Sequence, residues 1–252
     1  MYVSFSLSIK FAKTNKELEA VANLRYNVFS HEFKSKGTTF NSEKKIEWGV
    51  YDEICEHLIC TANYPDGRSA VIGALRVKLI TKTSDTFQVA QEFKIEEILR
   101  SKKACCEVSR ICINQSFRNG LALFKMWQFL FNFLENRNIK IMFGLGSFYG
   151  CDINLHRDSI LSIFKSYVSP LTKTIRSVQD NKIYLLKRTH NNEVQGIKNI
   201  PDLMKAYLRF GCHVAPDYFI DTEFNTIDLF FILMLDERSE KRKKYLSKDL
   251  SI

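Results

Sequence analysis

Hydrophobic and polar positions alternate from the start of the chain: Val3, Phe5, Leu7, Ile9 and Phe11 are separated by Ser4, Ser6, Ser8 and Lys10. A period of two is that of a half-buried strand. Thr14 or Asn15 then stands where a helix N-cap belongs, with Glu17 and Glu19 in the first turn. The apolar stripe Leu18, Val21, Ala22, Leu24, Val28 and Phe29 follows at helical spacing. Residues 34–50, rich in Lys, Ser, Thr and Gly, carry neither period and read as a long loop, a class that often supplies lids. Two further strands are predicted over 57–64 and 70–80, on either side of the turn signal Pro65-Asp66-Gly67.

Downstream, the pattern predicts a short helix over 93–99, a strand over 105–113 and a polar turn over 115–120. The clearest helix covers 121–136. Its polar residues Lys125, Gln128, Asn132 and Glu135 share one narrow stripe, so it is expected to be buried around most of its circumference. A strand over 139–145 runs into the turn Gly146-Ser147-Phe148-Tyr149-Gly150. Helices over 154–167 and, after Pro201, over 202–210 follow, with strands near 182–188, 213–221 and 226–235. The order β-α-β-β-α-β-α-β predicts an α/β fold, one central mixed β-sheet flanked by helices. Residues 1–237 read as a single domain without repeat or linker, and 238–252 as a basic, disordered tail.

Charge narrows the class of partner. Lys and Arg outnumber Asp and Glu to leave a net charge of +9, which calls for nucleic acid, an anionic membrane surface or an acidic carrier protein. The cations are dispersed or terminal and not interleaved with aromatics on one face, so no nucleic-acid partner is expected. The seven cysteines are odd in number and form no C-x-x-C pair, so neither a metal site nor a disulfide framework is expected. Nor does any motif call for a cofactor. The N-terminus has no cationic flank to its apolar residues, and the longest apolar run, Leu229 to Leu235, is too short to span a bilayer. A soluble, cytoplasmic chain that can sit peripherally at the inner membrane face is the expectation.

Candidate chemistry gathers around Glu107-Val108-Ser109-Arg110, followed by the turn 115–120 and the buried helix. A strand feeding a helix N-terminus exposes backbone N–H groups to an anion, with Arg118 and Gly120 at the approach. Arg25, Arg76 and Arg110 all lie in apolar contexts, and with Asp52 and Glu107 as partners they suggest a polar site cut into a core. His57 has the pKa of a general base, but a lone His in an apolar strand also serves as a hydrogen-bonded structural residue.

The motifs Leu24-Arg25-Tyr26-x-Val28-Phe29, Tyr51-Asp52, His57-Leu58-Ile59 and Gly73-x-Leu75-Arg76-Val77 precede Glu107-Val108-Ser109-Arg110 and Phe117-Arg118-x-Gly120. Met142-Phe143-Gly144-x-x-Ser147-Phe148-x-Gly150, Pro201-x-Leu203-Met204-Lys205-x-Tyr207-Leu208-Arg209-x-Gly211 and Asp221-x-x-Phe224-Asn225-Thr226-x-Asp228 complete the series. In this order the set resembles the ornithine N-acyltransferases of lyso-ornithine lipid synthesis, members of the GNAT superfamily. The N-terminal half is also similar to the acyl-homoserine-lactone synthases; the stretch after Pro201 favours the ornithine branch. Two positions depart from the pattern. Phe117 stands where the wider superfamily has Gln or Arg, and Gly49 where the relatives carry an acid.

The resemblance implies a GNAT fold whose central strands, here 105–113 and 139–145, splay to admit a pantetheine arm. It implies a 3-hydroxyacyl donor on acyl carrier protein, L-ornithine as the acceptor amine, and direct attack with no acyl-enzyme. Glu107, Arg110 and Arg76 would take catalytic roles. Arg25, Phe29, Asp52, His57, Ser109, Ser147 and Phe148 would line the acceptor side. Ile111, Cys112, Ile113, Arg118, Asn119 and Gly120 would hold the phosphopantetheine. An acyl-homoserine-lactone synthase or another long-chain N-acyl amino acid synthase would leave nearly every motif unchanged. Strand alternation puts Glu107 and Arg110 on opposite faces, so if both serve one site a β-bulge is required within 107–112.

Overall fold

The computed structural model describes residues 4–79, 86–181 and 192–235. The alternating N-terminal segment forms β1 (Ser6–Phe11). Thr14 and Glu17 then build a reciprocal capping box at the start of α1 (Asn15–Tyr26), in which Glu17 N–H donates to Thr14 Oγ1 at 3.2 Å and Thr14 N–H to the Glu17 carboxylate at 3.1 Å. Such a cap stabilises a helix by about 1 kcal/mol. A π-helical turn, Asn27–Glu32, carries the chain out of α1.

The stretch expected to be a featureless loop holds a small hairpin, β2 (Phe40–Asn41) and β3 (Ile46–Glu47), with Phe40 opposite Glu47. After a 3₁₀ turn, Asp52–Ile54, come β4 (Glu56–Asn63) and β5 (Ser69–Leu79). Gly67 takes φ 85 in the turn between them, a conformation costly for any residue with a Cβ. The remaining elements are α2 (Glu96–Arg100), β6 (Cys105–Ile113), α3 (Leu121–Asn136), β7 (Ile141–Tyr149) and α4 (Ile153–Tyr167). Last come α5 (Glu193–Asn199), α6 (Asp202–Arg209), β8 (His213–Val214), β9 (Phe219–Asp221) and β10 (Thr226–Met234). The strand expected near 182–188 and the tail 238–252 lie outside the described residues.

Two compact units result. Among the described residues, the first comprises 4–79 and 108–138; the second comprises 86–107, 139–181 and 192–235. In the first unit β1 pairs antiparallel with β4, and β4 with β5. Val21, Leu24 and Val28 of the α1 segment pack on Ile59, Ala74 and Cys112 of the strands. Helix α3 buries Leu121, Phe124, Met126, Trp127, Leu130 and Leu134, each large apolar side chain contributing roughly 1.5–3 kcal/mol. Gly73 lets α3 approach β5, because a Cβ there would sit 2.9 Å from Met126 Sδ.

In the second unit β10 is buried along its whole length and pairs antiparallel with β7, from Thr226 opposite Tyr149 to Met234 opposite Ile141. Phe87, Phe93, Phe143 and Phe230 dominate its core. Gly146 is needed where β10 and α6 crowd β7, since a Cβ would fall 2.5 Å from the Phe231 ring and 3.0 Å from Met204 Cγ. Two sequence expectations are corrected here. The helix predicted from Phe93 begins at Glu96, because Phe93 bridges to Ser177 in extended form. The strand predicted over 213–221 is split into β8 and β9, because Pro216 offers no N–H between them and the Asp217 carboxylate accepts from Ser177 N–H and Tyr218 N–H.

Candidate active site

Within the first unit, five charged side chains meet almost out of reach of solvent. Arg25, in the last turn of α1, forks onto Asp52 through Nη1–Oδ1 at 2.7 Å and Nη2–Oδ2 at 3.2 Å. Its Nε and Nη2 also contact the Glu47 carboxylate. Arg76, from the middle of β5, donates to Asp52 Oδ1 at 3.1 Å and to Ser109 Oγ at 3.0 Å. Arg110 Nε reaches Glu47 Oε1 at 3.3 Å. Arg25, Glu47, Asp52 and Arg76 are each at most 3% exposed. Charges so buried persist only because they pair, and removing one partner from such a pair costs about 3–5 kcal/mol.

Glu47 was not among the candidates read from the sequence. It is the last residue of β3, and the β2–β3 hairpin delivers it to Arg25, 22 residues earlier in the chain. The available signal was an acid set between two apolar residues, Ile46 and Trp48, inside a polar stretch.

Burial alone would raise the Asp52 pKa, but Arg25 and Arg76 outweigh it and hold the carboxyl well below the usual range. Burial likewise weighs against the Arg25 charge, and the Glu47 and Asp52 carboxylates overcome it and raise its pKa. Gly49 N–H donates to Asp52 Oδ2 at 2.7 Å, so the backbone also meets that oxygen. A Cβ at Gly49 would press to 2.7 Å from Thr39 Cγ2.

His57 is buried and bonds Asp52 C=O through Nε2 at 3.1 Å, leaving Nδ1 buried without a hydrogen-bond partner. Burial pushes its pKa down, so the neutral ring with the proton on Nε2 fits this contact. Trp48 stacks on the ring at 4.8 Å and donates from Nε1 to Glu53 at 2.6 Å. Those bonds fix the 47–53 segment from outside the charge network.

Arg110 takes φ 54 in the middle of β6, the left-handed region that strand residues avoid. The regular strand conformation is therefore interrupted within 107–112. The residue is tied to Glu47, while Glu107 belongs to the second unit and accepts from Val89 N–H at 3.4 Å.

Phe29 lies half-buried in the π-helical turn and packs on the apolar core of the first unit. Arg118 pairs with Glu32 at 2.7 Å, donates to Ile113 C=O at 2.8 Å and lies over Phe33. Asn119 Oδ1 accepts from Leu121 N–H at 3.1 Å. Gly120 takes φ 91 as the N-cap of α3 and supplies no side-chain cap to the helix N–H groups behind it. Ile111 is half-buried, and Cys112 and Ile113 are buried. Burial pushes the Cys112 thiol up to about 12 and that of Cys105 up to about 11, so neither is a thiolate at neutral pH.

In the second unit Ser147 stands opposite Asp228, and Phe148 is buried with its ring 4.9 Å from His156. The motif from Asp221 to Asp228 has a local explanation. Asp221 Oδ1 accepts from Glu223 and Phe224 N–H at 2.8 Å, Asn225 takes φ 55, and Thr226 donates to Asp228 at 3.1 Å.

Residues 24–128 match the acetyltransferase (GNAT) domain family. The L-ornithine N(alpha)-acyltransferase of Rhodobacter capsulatus is 26% identical over 247 residues, covering 96% of this chain and 95% of the relative. That of Brucella abortus is 24% identical, covering 95% and 88%. Among solved structures, an N-acyl amino acid synthase from uncultured soil microbes (FeeM) superposes with a TM-score of 0.54 at 7% identity, covering 93% of both chains. The AHL synthase LasI gives 0.52 at 14%, covering 99% and 98%. At such identities the structural likeness speaks for the fold: α/β, a central mixed β-sheet with flanking helices. The chain is a GNAT-type acyltransferase. Within that class it is homologous over nearly its full length to the L-ornithine N(alpha)-acyltransferases.

Proposed function

We propose that this enzyme transfers a 3-hydroxyacyl group from acyl carrier protein to the α-amine of L-ornithine, forming lyso-ornithine lipid. The observation that carries the reading is the end-to-end match to ornithine acyltransferases, which extends through the second unit and beyond the GNAT domain match at residues 24–128. In the proposed reaction the neutral amine attacks the thioester carbonyl directly. The new C–N bond forms as the C–S bond breaks, and the pantetheine thiol leaves with a proton. Glu107 accepts the amine proton, directly or through water. Arg76 and Arg110 hold charge in the active region, and the Arg25–Asp52–Glu47 lattice keeps them in place. The phosphopantetheine phosphate meets the N-terminal turn of α3 beside Gly120 and Arg118. The high thiol pKa values of Cys105 and Cys112 support direct attack over an acyl-cysteine.

The acidic carrier suits a chain of net charge +9, and the amphiphilic product suits work at the inner face of an anionic membrane. No helix among the described residues is long and apolar enough to cross a bilayer. The test offers purified enzyme 3-hydroxyacyl carrier protein with ornithine, other amino acids and S-adenosylmethionine, and identifies products by mass spectrometry. N-acyl ornithine is the expected product; acylation of another amine in preference would replace ornithine as the acceptor. Arg110→Ala and Glu107→Ala are each expected to slow turnover at least ~100-fold in folded protein. A near-normal rate in either removes that residue from the mechanism.

A further inference from the structure

In the second unit two extended segments, 92–95 and 175–178, run side by side. Lys94 N–H donates to Arg176 C=O at 2.8 Å and Val178 N–H to Glu92 C=O at 2.9 Å, and Phe93 bridges Ser177. From Phe93 to Ile95 and from Ile175 to Val178 the segments alternate between inside and outside, as extended backbone does. Phe93, Ile95, Ile175 and Ser177 are buried, which turns Lys94, Arg176 and Val178 to solvent. Helix α2 continues the same edge, tied to the neighbouring segment by a Thr174–Glu97 hydrogen bond, and ends at Arg100. The chain then turns through Lys102, at φ 54, and Lys103.

Six cations are exposed along these stretches: Lys94, Arg100, Lys102, Lys103, Lys173 and Arg176. In the same stretches only two carboxylates are exposed, Glu96 and Glu97, and the second is engaged with Thr174. Leu171 and Val178 of the same stretches are 42% and 46% exposed.

Cations alone suit any polyanion. Apolar side chains raised among them suit a lipid surface, where the charges meet anionic headgroups and the apolar tips enter the acyl boundary. Nucleic acid offers no such apolar layer; an acidic protein helix would bury the same two side chains, and the lipid surface is favoured here because the proposed N-acyl product partitions into it. We infer that this face, built from residues 92–104 and 171–178, docks the enzyme on an anionic bilayer. The inference deepens the acyl-transfer reading, since a single-chain N-acyl product is delivered to a membrane, but its test involves no acyl transfer.

The full-length chain is floated with phosphatidylcholine vesicles, with and without phosphatidylglycerol, across a salt series. Three proteins are compared: wild type, Lys94→Glu/Lys102→Glu/Lys173→Glu, and Leu171→Ser/Val178→Ser. The wild type is expected to prefer the anionic vesicles, less so at high salt. The charge-reversed variant should lose at least about 10-fold in partitioning, and the serine variant several-fold with its salt dependence kept. Milder Lys→Gln replacements at the same three sites should show the same direction. Equal binding of the charge-reversed variant, full affinity of the serine variant, or no preference for phosphatidylglycerol in the wild type would each overturn the proposal. Lost affinity for acyl carrier protein with vesicle binding intact would give the face to the carrier instead.

Discussion

Glu47→Gln tests whether the buried charge network depends on the carboxylate that the β2–β3 hairpin inserts. The side chain is fully buried, in contact with Arg25 through Nε and Nη2 and with Arg110 Nε at 3.3 Å. Glutamine keeps the shape and one acceptor oxygen, but its NH₂ group faces guanidinium donors and its charge is gone. Breaking a buried pair costs about 3–5 kcal/mol. The lower end applies here, because Asp52 still holds Arg25 by bonds of 2.7 and 3.2 Å and Arg110 is open enough to recruit water. At 2–4 °C per kcal/mol for a chain of this size, about 3 kcal/mol lowers Tm by about 6–12 °C. Thermal unfolding followed by circular dichroism at neutral pH reads this directly. Arg110→Gln and the double variant complete a cycle, in which the double loss should fall short of the summed single losses by at least about 1 kcal/mol. A Glu47→Gln melt within about 2 °C of wild type, or strict additivity with Arg110→Gln, would refute the reasoning.

The lowered His57 pKa carries a pH signature. The unfolded chain takes up this proton first, near pH 6.5, so the stability held above that pH is lost as pH falls below it. Asp52, also held low, adds a further loss below about pH 4. His57→Gln keeps a donor near the Nε2 position without titrating, so its urea midpoint should decline less than that of wild type between about pH 7 and pH 5; parallel declines would show that His57 takes up its proton equally in the folded and unfolded states. At Arg110, φ 54 makes a second backbone prediction. Arg110→Gly and Arg110→Ala lose the same bond to Glu47, yet the glycine variant should be the more stable by about 1 kcal/mol in urea titration, because only alanine has a Cβ to strain. Equal midpoints would mean that β6 relaxes to regular form once the arginine is gone.

Periodicity along the chain made β1, α1, the β4–β5 pair, α3 and β10 legible, because each places an apolar face at a repeat that only one backbone geometry can bury. Arg25, Asp52 and Arg76 were legible for a related reason: a charge inside an apolar run must find a partner, and these three found one another. Glu47 was hidden because its partners come from α1 and β6, 22 and 63 positions away, and no local pattern encodes a contact at that separation. The conformation of Arg110 was legible only as a condition, that alternation must break if two residues three apart are to serve one site. The backbone angle that breaks it accompanies a bond to Glu47, 63 positions away, which no local pattern encodes.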